Sequence, residues 1–264
     1  MIFSISILIF SFATFAFSQT DKLVPIVGAG FLLGGVENGK WFNYDETVGQ
    51  LKEKGDFVLI GLPGGNRTGK VVSGTKTDRM SYCPTLKTVV FEEEFAGIGI
   101  GANAKWRLLP RMPQDIALTN KTYRKAAADF LKTRGIVINQ AKLTQIFRVD
   151  LDGDRQDEIV MTGNYNKLGT SAPQSAGDYS FVLVRKIVGG NPRNILIEGD
   201  FFKRQRKDSY EPPYRREVTA IADLNGDGKM EILIHWFYVE GEAATVYEVR
   251  KGRFRKVFEI GCGV

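Results

Sequence analysis

Two short acidic segments recur in the same phase along this chain. Asp150-Leu151-Asp152-Gly153-Asp154 closes with Glu158, and Asp223-Leu224-Asn225-Gly226-Asp227 closes with Glu231. Each sets oxygen side chains at relative positions 1, 3, 5 and 9 and leads straight into an apolar, β-branched run. Carboxylates gathered within a few ångströms repel one another and raise one another's pKa. A hard cation taking oxygens from alternate residues removes that conflict, and calcium is the cation of this chemistry. Ordinary Asp-Gly and Asn-Gly surface turns are the plainer alternative, but two copies in register favour the metal.

The loops belong to a longer repeat. Residues 144–161 (TQIFRVDLDGDRQDEIVM) and 219–235 (TAIADLNGDGKMEILIH) each read strand, acidic loop, strand. Further strand-like pieces follow at 179–187 and 194–202, and at 244–250 and 253–260. The spacing of 73 residues exceeds a usual solenoid or propeller unit, and the polar stretches 164–177 and 203–216 account for the excess. Upstream of about residue 112, β-like runs at 31–33, 57–60, 70–72, 88–91 and 98–100 are cut by Gly and Pro, which predicts a small sheet or barrel. A short helix is expected within 45–54, weakened by Gly49. A firmer one spans 120–134: Asn120 caps it, Tyr123, Ala127, Phe130 and Leu131 share a face, and Gly135 ends it. Pro110 and Pro113 set the boundary near residue 112.

The second loop opens like an EF-hand, with Gly228 at the sixth position, but its twelfth residue is Ile234 and its flank is strand-like rather than helical. A loop whose last carboxylate falls at position 9 and enters a strand resembles the calcium loops of FG-GAP and VCBS-type repeats, over about residues 144–235. The resemblance implies calcium ligands at Asp150, Asp152, Asp154 and Glu158 and at Asp223, Asn225, Asp227 and Glu231, completed by the main-chain carbonyls of Gln156 and Lys229. It also implies propeller-blade-like units, although two blades cannot close a propeller. Either the amino-terminal half supplies divergent blades or the units form an open arrangement of sheets, and the second is expected. Arg155 replaces the sixth-position glycine in the first loop, which predicts a strained turn or a weaker site there.

Residues 1–18 are uncharged and apolar and end in Ala16-Phe17-Ser18, the grammar of a cleaved export signal without its usual basic start; an uncleaved anchor is the alternative, for which the stretch is short. The remaining chain, 19–112 as a small β domain and 113–264 as a helix plus two β units, is thus expected to be mainly β and extracytoplasmic, with no transmembrane helix after signal removal. Cys83 and Cys262 can bridge in an oxidising compartment; two buried thiols are the alternative. The net charge of +6 falls mostly before residue 140. It is the charge of a solvated surface, or one that favours anionic partners.

Other candidates for chemistry are thin. Residues 64–70 (GGNRTGK) have P-loop spacing, but Val71 stands where Ser or Thr is required and a strand follows. His235 is the one histidine and has no Gly-x-Ser-x-Gly elbow to serve. Lys203, Arg204, Arg206 and Lys207, with Arg215 and Arg216 nearby, form a basic cluster able to grip phosphate or sulfated glycan, although a mobile, solvated insert is the plainer reading. The expected function is a calcium-stabilised, non-enzymatic binding module for a protein or glycan, not nucleic acid. A secreted hydrolase of polysaccharide or ester, with carboxylates gathered at the domain junction, is the alternative.

Overall fold

The computed structural model describes residues 23–62, 68–77, 83, 86–92, 95–169, 174–204, 214–238 and 240–263. The expected signal segment and Arg206 and Lys207 lie outside them. The molecule is mainly β, as its residue pattern predicts, and its elements stack in four layers.

The first layer is a barrel. It comprises β1 (Val24–Gly28), β2 (Phe31–Glu37), β3 (Lys40–Phe42), a single helical turn α1 (Tyr44–Val48), β4 (Lys54–Ile60), β5 (Val71–Thr77), β6 (Thr88–Phe91) and β7 (Ile98–Gly101). The order β1-β7-β4-β5-β6-β2 is closed by pairing of β1 with β2, and β3 hangs on β2. Closure satisfies backbone groups that an open edge would expose. Gly49 ends α1 well short of residue 54. Strand alternation gives the barrel two apolar faces. Val27, Leu32, Phe57 and Val89 pack with Tyr44, Val48 and Leu51, whereas Ile26, Phe31, Leu33, Ile98 and Ile100 pack against the last sheet.

Two four-stranded meanders follow. β8 (Gln114–Asp115) and α2 (Lys121–Thr133) precede β9 (Gln145–Val149), β10 (Glu158–Tyr165), β11 (Tyr179–Val188) and β12 (Asn191–Phe201), and β8 adds to the free edge of β9. The second meander is β13 (Arg215–Ala222), β14 (Glu231–Tyr238), β15 (Gly241–Arg250) and β16 (Arg253–Gly263). In both, an acidic loop joins the first strand to the second. Asn120 caps α2 by accepting from the N–H groups of Thr122 and Tyr123 at 3.1 and 3.3 Å.

The β13–β16 sheet is buried on both faces, which is why β14 opens as a continuous Ile-Leu-Ile run. Leu233 meets the barrel, while Ile232 and Ile234 meet Val149, Val160 and Val182 of the neighbouring sheet. That neighbour buries its other face, through Met161, Phe181 and Leu183, under Ala127 and Leu131 of α2. The stack runs barrel, β13–β16, β9–β12, α2.

Polar groups lock the two meanders together. The side-chain amide of Gln145 bonds both N–H and C=O of Val218 at 2.8 Å, and that of Asn164 bonds both groups of Arg216 at 3.0 and 2.8 Å. These amides act as peptide groups on the outer edge of β13. Asn164 thus lies inside β10 rather than in the polar insert that its residue type suggests. Arg216 is likewise no part of a solvated basic cluster. It is buried and pairs with Glu198 at 3.1 Å and Asp200 at 2.7 Å. Cys83 and Cys262 form a disulfide, with Cα atoms 6.0 Å apart, that ties the last strand to the barrel.

Candidate metal centre

The two acidic loops have one local structure, built twice. In the first, Asp150 accepts from the N–H of Gly153 (2.7 Å) and of Arg155 (3.1 Å), Asp154 from Gln156 (2.7 Å), and Glu158 from Leu151 (2.9 Å). In the second, Asp223 accepts from Gly226 (2.7 Å) and Gly228 (2.9 Å), Asp227 from Lys229 (2.9 Å), and Glu231 from Leu224 (2.8 Å). The opening aspartate therefore folds its own turn, and the closing glutamate reaches back from the strand to the loop's second residue. The sixth residue is left-handed in both, φ +79° at Gly228 and +71° at Arg155. Glycine takes that conformation freely, while a side chain there costs roughly 1–2 kcal/mol.

In the first loop, one carboxylate oxygen each from Asp150, Asp152 and Glu158 lies within 4.8 Å of the others. Asp154 stands outside that group, held by Gln156. In the second, Asn225 accepts from the N–H of Asp227 at 2.8 Å. Glu231 is 1% exposed, and its Oε1 has no hydrogen-bond partner. Burial pushes the Glu231 carboxyl up to about 9, against the hydrogen bond from Leu224 and helped by the charges of Asp227, Asp223 and Glu248. Burial also raises Asp223 and Glu158. Asp152 Oδ1 is a further buried oxygen without a partner. An all-oxygen donor set with orphaned buried acceptors fits a hard cation.

Four residues at these loops carry no local signal in the sequence. Arg111, on the segment that follows the barrel, donates from Nε to the carbonyl of Asp150 and from one terminal nitrogen to the carbonyls of Leu151 (3.3 Å) and Gly228 (2.8 Å). One guanidinium thus bridges both loops. Lys186 of β11 places its Nζ 3.2 Å from Asp152 Oδ2 and 3.5 Å from Glu158 Oε1. Glu248 of β15 lies beside the second loop. Burial raises its pKa, but bonds from Arg255 (2.7 Å) and Trp41 (2.8 Å) outweigh burial and hold it below the usual carboxylate range. Trp106 adds a bond to the carbonyl of Asp223 at 2.9 Å, and Asp223 in turn donates its N–H to Leu108. Only fold-level pairing brings these side chains to loops so far away along the chain.

A recess of about 510 Å³ opens between the barrel and the second loop, lined by Lys40, Trp41, Asn225, Asp227, Lys229 and Glu248 among others. It gives the loop an approach from solvent. The remaining sequence candidates fall elsewhere. Lys203 and Arg204 are exposed beyond the end of β12. His235 bonds Glu242 at 2.7 Å and packs on Phe237. Residues 63–67 of the P-loop-like stretch lie outside the described residues, and Val71 begins a strand rather than a helix. Comparison of the chain with family models, curated proteins and solved structures finds no match.

Proposed function

We propose that the protein is an exported, calcium-binding, non-enzymatic interaction module of the FG-GAP/VCBS type, in which an acidic loop uses the ion to hold strands together. The observation that carries this reading is Glu231. Its carboxylate is fully enclosed, has an oxygen with no partner, and sits among Asp223, Asp227 and Glu248. Enclosing such a group without a counter-charge costs several kcal/mol. A calcium ion held by Asp223, Asn225, Asp227 and Glu231 with the carbonyl of Lys229 offsets that cost; the corresponding oxygens of the first loop are those of Asp150, Asp152, Asp154, the Gln156 carbonyl and Glu158, and the Lys186 ammonium already stands among them.

The disulfide and the signal-like first eighteen residues favour an oxidising compartment outside the cytoplasm, where millimolar calcium suits loops with dissociation constants of about 0.1–1 mM. No helix among the described residues is long and apolar enough to cross a membrane. The partner is a protein or a glycan.

Thermal unfolding in chelator, magnesium and calcium tests the proposal. At about ten times the dissociation constant, one site adds about 1.4 kcal/mol, or roughly 3–6 °C in midpoint. A midpoint indifferent to calcium, or moved equally by magnesium, would refute it.

A further inference from the structure

We infer that the two loops are not equivalent cation sites: Lys186 is the resident cation of the first loop, and the second is the loop that takes an ion. This rests on the calcium reading for the second loop only. The ladder between β10 and β11 ends at Ile159 opposite Arg185, and that between β14 and β15 ends at Ile232 opposite Tyr247. The residues just past those ends, facing the closing glutamates, are Lys186 and Glu248. One register position therefore carries opposite charges in two otherwise matching units.

Geometry bears this out at each loop. The Lys186 side chain is 14% exposed, and its ammonium lies within 3.5 Å of oxygens from the third and ninth loop residues, Asp152 and Glu158. Those two carboxylates belong to the converging group of the first loop. Arg111 adds a second cation 3.8 Å from Asp150 Oδ2. In the second loop, Lys229 lies 3.8 Å from Asp227 Oδ2 and Arg255 bonds Glu248, while Glu231 Oε1 has no hydrogen-bond partner. A metal entering the first loop must displace an ammonium from two of its ligands. Each loop holds an unpaired buried oxygen, Asp152 Oδ1 and Glu231 Oε1, but a metal entering the second completes its own with no buried ammonium to displace.

Titration of the full chain with calcium chloride, followed by calorimetry, tests this on wild type, Lys186→Met and Lys186→Met/Asp152→Asn. Wild type is expected to fill one site below about 1 mM, abolished by Glu231→Gln. Lys186→Met is expected to gain a second site, or to tighten a weak one about tenfold or more once the competing charge is gone, and adding Asp152→Asn removes that gain. Lys186→Gln serves if the Met variant does not fold. Two wild-type sites of equal affinity, or a lysine variant with unchanged binding, would overturn the inference. If wild type binds no calcium yet Lys186→Met acquires a site, the calcium reading of the second loop fails while the role of Lys186 stands.

Discussion

Replacing Glu231 by Gln should stabilise the metal-free protein, although the substitution removes a proposed ligand. The Glu231 carboxyl has its pKa pushed from 4.5 up to about 9 by burial and by neighbouring carboxylates. A raised folded-state pKa means that the fold binds this proton more tightly than the unfolded chain does. Stability from this group is thus intact below about pH 4.5 and falls progressively as pH rises from there to about 9. At pH 7 the shortfall is roughly 2.5 pKa units, or about 3 kcal/mol at 1.36 kcal/mol per unit. Glutamine keeps an oxygen for the Leu224 N–H and offers N–H donors to the adjacent carboxylates. Relaxation reduces the gain, so about 1–3 kcal/mol is expected, or about 3–10 °C in midpoint for a chain of this size. The assay is thermal unfolding at pH 5, 7 and 9, in chelator and in calcium. In chelator the variant should be the more stable protein at pH 7 and 9 but not at pH 5, and in calcium its advantage should shrink. A variant less stable than wild type in chelator at pH 7 would refute the reasoning.

Three further outcomes follow from the same structure. Arg155→Gly relieves a left-handed φ of +71° and should add about 1 kcal/mol, measured by urea unfolding. Arg111→Met removes a guanidinium that holds carbonyls of both loops, and should cost about 2–4 kcal/mol; Arg111→Lys should restore little, because an ammonium lacks the fork that spans the two loops. Cys262→Ser opens a loop of 179 residues, for which chain entropy sets an upper bound of about 5 kcal/mol; the midpoint of wild type in reductant should fall to that of the variant.

Much of the fold is readable from short-range pattern. The barrel strands show as apolar runs cut by glycine, and α2 shows in its Asn120 cap and the Tyr123, Ala127, Phe130 and Leu131 stripe. The loops are legible because each gathers its oxygens within nine residues. What balances the loops is not legible. Arg111, Lys186 and Glu248 arrive from other elements, and nothing in their neighbourhoods distinguishes them from solvated charges. The same holds for Arg216, which reads as part of a basic insert until β13 carries it against Glu198 and Asp200. Asn164 reads as loop because amides are common there, yet it serves as a peptide mimic on the β13 edge. Charge compensation and edge capping depend on sheet stacking, which has no period along the chain.

Calorimetric titration of the full chain with calcium, on wild type and Asp223→Ala side by side, bears most directly on the central claim. Asp223 folds the second loop's turn and belongs to the ligand set proposed for it. Wild type should bind one calcium in the range of about 0.1–1 mM, and Asp223→Ala should show none there. No binding by folded wild type at millimolar calcium, or unchanged binding by Asp223→Ala, would contradict the account.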